Sequence, residues 1–160
     1  MRLNNGSKVG VVGGGPAGSL TAYFILDLAE RAGLDVTVDI YENQDFTRQG
    51  PAGCNHCGGI VSESLVQMLA SEGINLPPSV IQRSFDSYVL HMDVGSIKID
   101  TPLEEKRIAA MFRGAGPLQS KGLESGSFDG FLQKLTIEKG ASLINQRVSN
   151  IAFENGYPIL

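Results

Sequence analysis

The sequence has no tryptophan and only two cysteines, Cys54 and Cys57. Two thiols three positions apart in one stretch cannot staple a secreted fold, which needs more cysteines spread more widely. The expected compartment is therefore a reducing, cytoplasmic one. Long apolar runs are also missing. Residues 1–8 are polar, and Val9-Gly10-Val11-Val12 behind them is too short for a signal-peptide core or a membrane span. Basic clusters are missing too: 13 Lys and Arg stand scattered among 17 Asp and Glu, for a formal net charge of −4. That excludes the electrostatic footprint of a nucleic-acid binder. Histidine occurs only at 56 and 91. With two cysteines this is a poor supply for a four-ligand zinc site, and no metal is expected. What the chain does have is glycine, 20 residues without a fixed period, so neither a collagen-like nor a low-complexity reading holds. A hydrophobic fraction of 42% over 160 residues is enough for one globular core.

The hydrophobic pattern orders the chain. Residues 8–12 read as a short apolar strand of the kind buried on both faces of a parallel sheet. Residues 19–32 read as an amphipathic helix, with Leu20, Tyr23, Phe24, Leu26, Leu28 and Ala29 on one side and Gly33 as its stop. Residues 36–41 read as a second strand ending at Glu42. Strand, helix and strand in this span make a parallel βαβ unit. Residues 43–60 read as a long loop, of a length that is usually functional or disordered. A helix is expected over 62–72 with Ser62 as N-cap. Residues 85–93 and 96–101 read as a hairpin around Val94-Gly95. A strand over 108–112, a Gly-rich loop over 114–127, a helix over 128–139 and strands over 141–144 and 146–153 follow. Asn155-Gly156 is a two-residue hairpin turn, and the returning strand at 157–160 ends on apolar residues. The expectation is a partial domain over 1–160, truncated before a substrate domain.

The chemistry concentrates in Gly13-Gly14-Gly15-Pro16-Ala17-Gly18. Its G-x-G-x-x-G spacing lies between an expected strand and an expected helix, which is the context that gives the pattern meaning. Gly13 permits the sharp turn, Gly15 lets backbone N–H groups approach a pyrophosphate, and Gly18 allows close helix packing. The helix N-terminus adds donors and partial positive charge. Pro16 suits the first helical position, where an N–H is not needed. Glu42, 24 positions past Gly18, stands where an acid hydrogen-bonds a ribose hydroxyl. Asp39 is mid-strand and faces the other way. An acid at 42 argues against a 2′-phosphate, leaving FAD or NAD.

Cys54-Asn55-His56-Cys57 admits several readings: a redox dithiol with lowered thiol pKa, half a metal site, a flavin-side loop, or thiols that merely fill a loop. Arg48 and Arg113 are candidates for phosphate or ribose contact, with solvated arginines as the competing reading. No Ser-His-Asp arrangement points to hydrolysis, and no residue is assigned as catalytic acid or base.

These segments also carry a resemblance. The Val11-Val12-Gly13-Gly14-Gly15-Pro16-Ala17-Gly18-Ser19 stretch resembles that of flavoproteins with two dinucleotide-binding domains. Cys57-Gly58-Gly59-Ile60 resembles the Cys-Gly-Gly loop of the geranylgeranyl reductase family. Arg113-Gly114, Ser127-Phe128-Asp129-Gly130-Phe131-Leu132 and Lys139-Gly140-Ala141 resemble that family's Arg…Phe-Asp…Leu…Gly-Ala stretch. Two departures are the additional Cys54 and His56, and the fourteen residues between Arg113 and Phe128. The resemblance implies a p-hydroxybenzoate-hydroxylase-like fold with FAD held extended, and reduction of an apolar, isoprenoid-like substrate through the flavin. It implies Cys57, Gly58, Gly59 and Arg113 as cofactor-binding residues beside the glycine loop and Glu42. NAD(P)H is the candidate electron donor, and a lipid substrate implies peripheral membrane association. The fold expected is α/β, a Rossmann-like FAD/NAD(P)-binding domain with a parallel sheet plus a β-hairpin or meander. A flavin monooxygenase of the same fold and a non-catalytic dinucleotide-binding fragment are the alternatives.

Overall fold

The computed structural model describes residues 2–46, 59–111 and 127–159. The chain forms two compact units, one of Met1–Asp45 with Asp129–Leu160 and one of Phe46–Phe128.

The first unit is built on a parallel sheet. Strand β1 (Ser7–Val12) leads through the glycine loop into helix α1 (Pro16–Arg31), and β2 (Val36–Tyr41) returns beside β1 in parallel. Helix α3 (Phe128–Glu138) then leads to β8 (Ser142–Ile144), which pairs in parallel with the other edge of β2. The sheet order is β1-β2-β8. β-Branched residues dominate β2, and their alternation decides its faces: Val36, Val38 and Ile40 are buried, while Thr37 is exposed and Asp39 half-buried. Ala22 and Ala29 of α1 pack on those three, together with Val9 and Val11. The small alanines bring the helix close to the sheet.

Three expectations change here. β1 is covered on one face only: Lys8, Gly10 and Val12 are exposed. With Asp39, Tyr41, Ile151 and Pro158 they line a shallow groove of about 330 Å³. Continuous apolarity in so short a strand did not distinguish one buried face from two. Helix α1 also begins at Pro16 rather than at 19, because the glycine motif itself supplies the first turn. The strand expected over 146–153 shortens to β9 (Ala152–Glu154), paired antiparallel with β10 (Tyr157–Ile159) across Asn155-Gly156.

Helix α3 lies beside α1. The Lys139 ammonium, at the end of α3, reaches Glu30 Oε2 at 2.6 Å and Asp27 Oδ1 at 3.0 Å, and sits 5.7 Å from the Tyr23 ring centre. The hydrogen bond to Glu30, then that to Asp27, holds the lysine pKa above its ordinary value of 10.5. A raised lysine pKa stabilises the fold fully below the ordinary lysine value, and that contribution fades as pH climbs through the raised one. Lys139→Met is therefore expected to lower the thermal midpoint at pH 9 and to have a smaller effect at pH 11.5. Equal losses at both values would show that packing of the lysine's aliphatic stem, rather than its charge, ties the helices.

The second unit carries α2 (Glu63–Ser71) and two antiparallel sheets. One is ordered β3-β7-β4, from Ile60–Ser62, Ile108–Met111 and Ile81–Phe85. The other is the hairpin of β5 (Ser87–Met92) and β6 (Gly95–Asp100). The hairpin sits where the alternation placed it, and α2 agrees with the expected helix. Ser62 is its N-cap residue, but its hydroxyl bonds Ser64 Oγ rather than a helix N–H. β3 and β4 were not foreseen.

Candidate functional site

The glycine loop joins β1 to α1, and each of its glycines meets a different constraint. Gly13 has φ +97°, a left-handed conformation that side chains disfavour, and its N–H donates to Tyr41 O at 2.9 Å. This bond fastens the turn to the end of β2. A Cβ on Gly18 would lie 1.8 Å from the Gly13 carbonyl oxygen. Gly18 thus admits the first turn of α1 against the loop that precedes it. A Cβ on Gly14 would meet Gln133 Nε2 and Glu42 Cβ, each at 2.8 Å. Gly15 is different: its ideal Cβ finds nothing nearer than Asp129 Oδ1 at 4.0 Å. Space is kept in front of it.

Gly15 is the N-cap of α1 and Pro16 follows at the first helical position. No side chain caps this helix, and no acidic residue stands in its first turn. Such an end offers N–H donors and positive potential to an anion. Ser19 is wholly buried and anchors the turn: its hydroxyl donates to Gly14 O at 2.9 Å. The Thr136 hydroxyl lies 2.7 Å from Leu132 O and 3.0 Å from Ser19 O, so α3 braces the same turn.

Glu42 closes the unit at the end of β2. Its Oε2 accepts the Gly14 N–H and its Oε1 accepts the Gln44 N–H, both at 2.8 Å. Its own N–H donates to Ile144 O at 3.0 Å. The carboxylate is therefore directed back at the glycine loop from three fastened points. Asp39 lies on the opposite face of β2, along the groove of the open side.

The structure brings Gly13, Gly14, Gly15, Pro16, Ala17, Gly18 and Glu42 together in one place. Gly59 stands in the second unit, with φ +68°, its carbonyl accepting the Met111 N–H at 2.8 Å. A Cβ there would lie 2.2 Å from the Met111 carbonyl oxygen, so strand packing alone accounts for a glycine. Arg48, Cys54, His56, Cys57, Gly58 and Arg113 lie outside the described residues. Among the described residues no group of His, Cys, Asp and Glu is arranged to hold a metal ion. Nor is any helix long and apolar enough to cross a membrane.

Sequence reasoning missed the share of α3. Asp129 is buried facing Gly15, and Gln133 packs on Gly14. The signal was present in part, because α3 is amphipathic, but nothing in its spacing tells which loop it will meet. The second unit separately holds an open apolar groove of about 710 Å³, lined by Ile60, Ser62, Phe85, Ser87, Tyr88 and Ile108.

No family model matches the chain, and no curated protein matches it. Among solved structures, the crystal structure of native FqzB is similar, with a TM-score of 0.52 and 18% sequence identity. The likeness covers 98% of this chain and 32% of FqzB, so the chain spans about a third of that protein's length. At this identity the likeness is one of fold: a mixed α/β arrangement in which a three-stranded parallel sheet accompanies antiparallel ones.

Proposed function

We propose that this chain is the nucleotide-holding part of an FAD-dependent oxidoreductase with a Rossmann-like fold. The observation that carries the reading is the Gly14–Glu42 hydrogen bond at 2.8 Å. It joins a glycine turn before an uncapped helix to an acid at the end of the neighbouring parallel strand, the arrangement that binds an ADP moiety. The β1-α1-β2 unit, extended by α3 and β8 in the order 8-2-1, supports it, since this is the 3-2-1 order of a mononucleotide-binding half. The residues fit the group. The space before Gly15, bordered by Asp129 Oδ1, has room for a pyrophosphate, and the backbone N–H groups of Ala17 and Gly18 suit its oxygens. Glu42 suits ribose hydroxyls and opposes a 2′-phosphate.

A bound flavin supplies the electron and hydride transfer. The chain's part is to bind, orient and exclude water. The finer reading rests on the resemblance in the sequence. On that resemblance Cys57, Gly58, Gly59 and Arg113 are further candidate cofactor-binding residues, NAD(P)H serves as donor, and an apolar, isoprenoid-like compound is reduced, with peripheral membrane association through that substrate.

The test is direct. The purified chain, mixed with FAD and passed through gel filtration, should elute with a flavin visible spectrum at near one equivalent. Tight NAD binding with no flavin uptake would sink the choice of FAD. Uptake of neither would sink the dinucleotide reading.

A further inference from the structure

Among the described residues, Gln133 Nε2 is the one buried side-chain polar atom without a hydrogen-bond partner. Its place is specific. Helix α3 carries it to Gly14, where an added Cβ would meet both Gln133 Nε2 and Glu42 Cβ at 2.8 Å. The glycine is bare because an amide and a carboxylate side chain close on it together.

An enclosed amide N–H without an acceptor costs stability, and an apolar side chain of the same length would avoid that cost. Each such atom in a native structure calls for an explanation, and a ligand that supplies the missing acceptor is one. The neighbour shows what the use is. Glu42 has given each oxygen one backbone N–H, from Gly14 and Gln44, and a carboxylate retains further acceptor sites. At the end of β2 the loop is therefore flanked by an acceptor with spare capacity and by a pair of unused donors. A vicinal diol matches this pair, because each hydroxyl both donates and accepts.

We propose that Gln133 is a binding residue for the nucleotide's ribose, donating from Nε2 to one hydroxyl oxygen while the adjacent hydroxyl donates to Glu42. This rests on the dinucleotide reading and adds a residue and a selectivity to it. The terminal torsion of a glutamine is broad, so Nε2 can turn from its enclosed position toward a ligand held beside Glu42. The pair selects an unsubstituted diol: a 2′-phosphate only accepts hydrogen bonds and would meet the Glu42 charge.

The test is a binding cycle on the full chain, using calorimetric titration with ADP and with 2′,3′-dideoxy-ADP. Wild type should bind ADP the tighter by about tenfold or more, the size expected of two good hydrogen bonds. Gln133→Met keeps the length and removes the donors. It should lose several-fold in ADP affinity, leave dideoxy-ADP affinity unchanged, and melt at or above the wild-type temperature. Gln133→Leu repeats the comparison should Met disturb packing. Wild-type ADP affinity in both variants, or an equal loss for both ligands, would assign Gln133 to packing and overturn the inference with the dinucleotide site intact. Failure of the wild type to bind either ligand would instead overturn the dinucleotide reading, and this inference with it.

Discussion

Gly18→Ala is expected to destabilise the chain by about 3 kcal/mol, the upper part of the range for forced overpacking. For a chain of this size that is a fall of roughly 6–12 °C in the thermal midpoint. The added methyl would stand 1.8 Å from the Gly13 carbonyl oxygen, 2.9 Å from its carbonyl carbon and 3.3 Å from Val11 Cγ1. The first two are backbone atoms, which cannot swing aside as a flexible side chain does. Gly13 is itself held, with φ +97° and its N–H on Tyr41 O at 2.9 Å. Relief therefore means lifting the first turn of α1 off the loop, or breaking the bond that ties the loop to β2. Moving the turn also strains the Ser19 hydroxyl bond to Gly14 O and the Thr136 contact beneath it. A thermal melt by circular dichroism measures the effect. A midpoint within 2 °C of wild type would mean that the helix start is free to move and that the close approach is incidental.

Much of the first unit was legible in the sequence because its signals are local. A buried alternation in residues 36–41, a glycine-proline loop and a periodic helix each declare themselves within a few residues, and their succession implies parallel pairing. The partner of β8 was not legible. Ser142–Ile144 is three residues long, and nothing in three residues says that it joins β2 rather than β1. β3 and β4 escaped for a related reason. Ile60–Ser62 runs directly into α2, and Ile81–Phe85 pairs with β7 through an irregular register, so neither shows a clean period of two. The exposed face of β1 escaped because an apolar strand reads alike whether one or two layers cover it.

The site divides along the same line. Loop and acid were legible, since turn chemistry and strand ends fix their positions in sequence. The contribution of α3 comes from residues more than a hundred positions away in the chain, packed by tertiary contact. Ser19 belongs between these cases. Its place inside the first turn was visible, whereas its bond to Gly14 O required the helix to start at Pro16, three residues before the expected start. The roles of Gly14 and Gly18 also separate only in three dimensions, where one is pressed by side chains and the other by backbone.

Gly15→Val should do the reverse of Gly18→Ala, leaving the fold and removing the ligand. Gly15 has φ −68° and ψ −174°, extended backbone that valine adopts readily. Its ideal Cβ meets only Asp129 Oδ1 at 4.0 Å, so the Cβ itself meets no obstacle from the protein. The stability cost is that of a poor N-cap residue, about 1 kcal/mol, or roughly 2–4 °C in the midpoint. Binding is another matter. A pyrophosphate takes backbone N–H bonds at about 2.9 Å, and two branched methyls at the mouth of α1 would fill the space those oxygens need. Affinity for FAD and for ADP should fall at least a hundredfold, about 2.7 kcal/mol, with Gly15→Ala in between. Titration of both ligands into the folded variant measures it. Wild-type affinity in Gly15→Val would move the anion away from the start of α1 and leave Glu42 without its nucleotide. Loss of affinity with the melt preserved would show that this glycine keeps room for a ligand, as Gly18 keeps room for the chain.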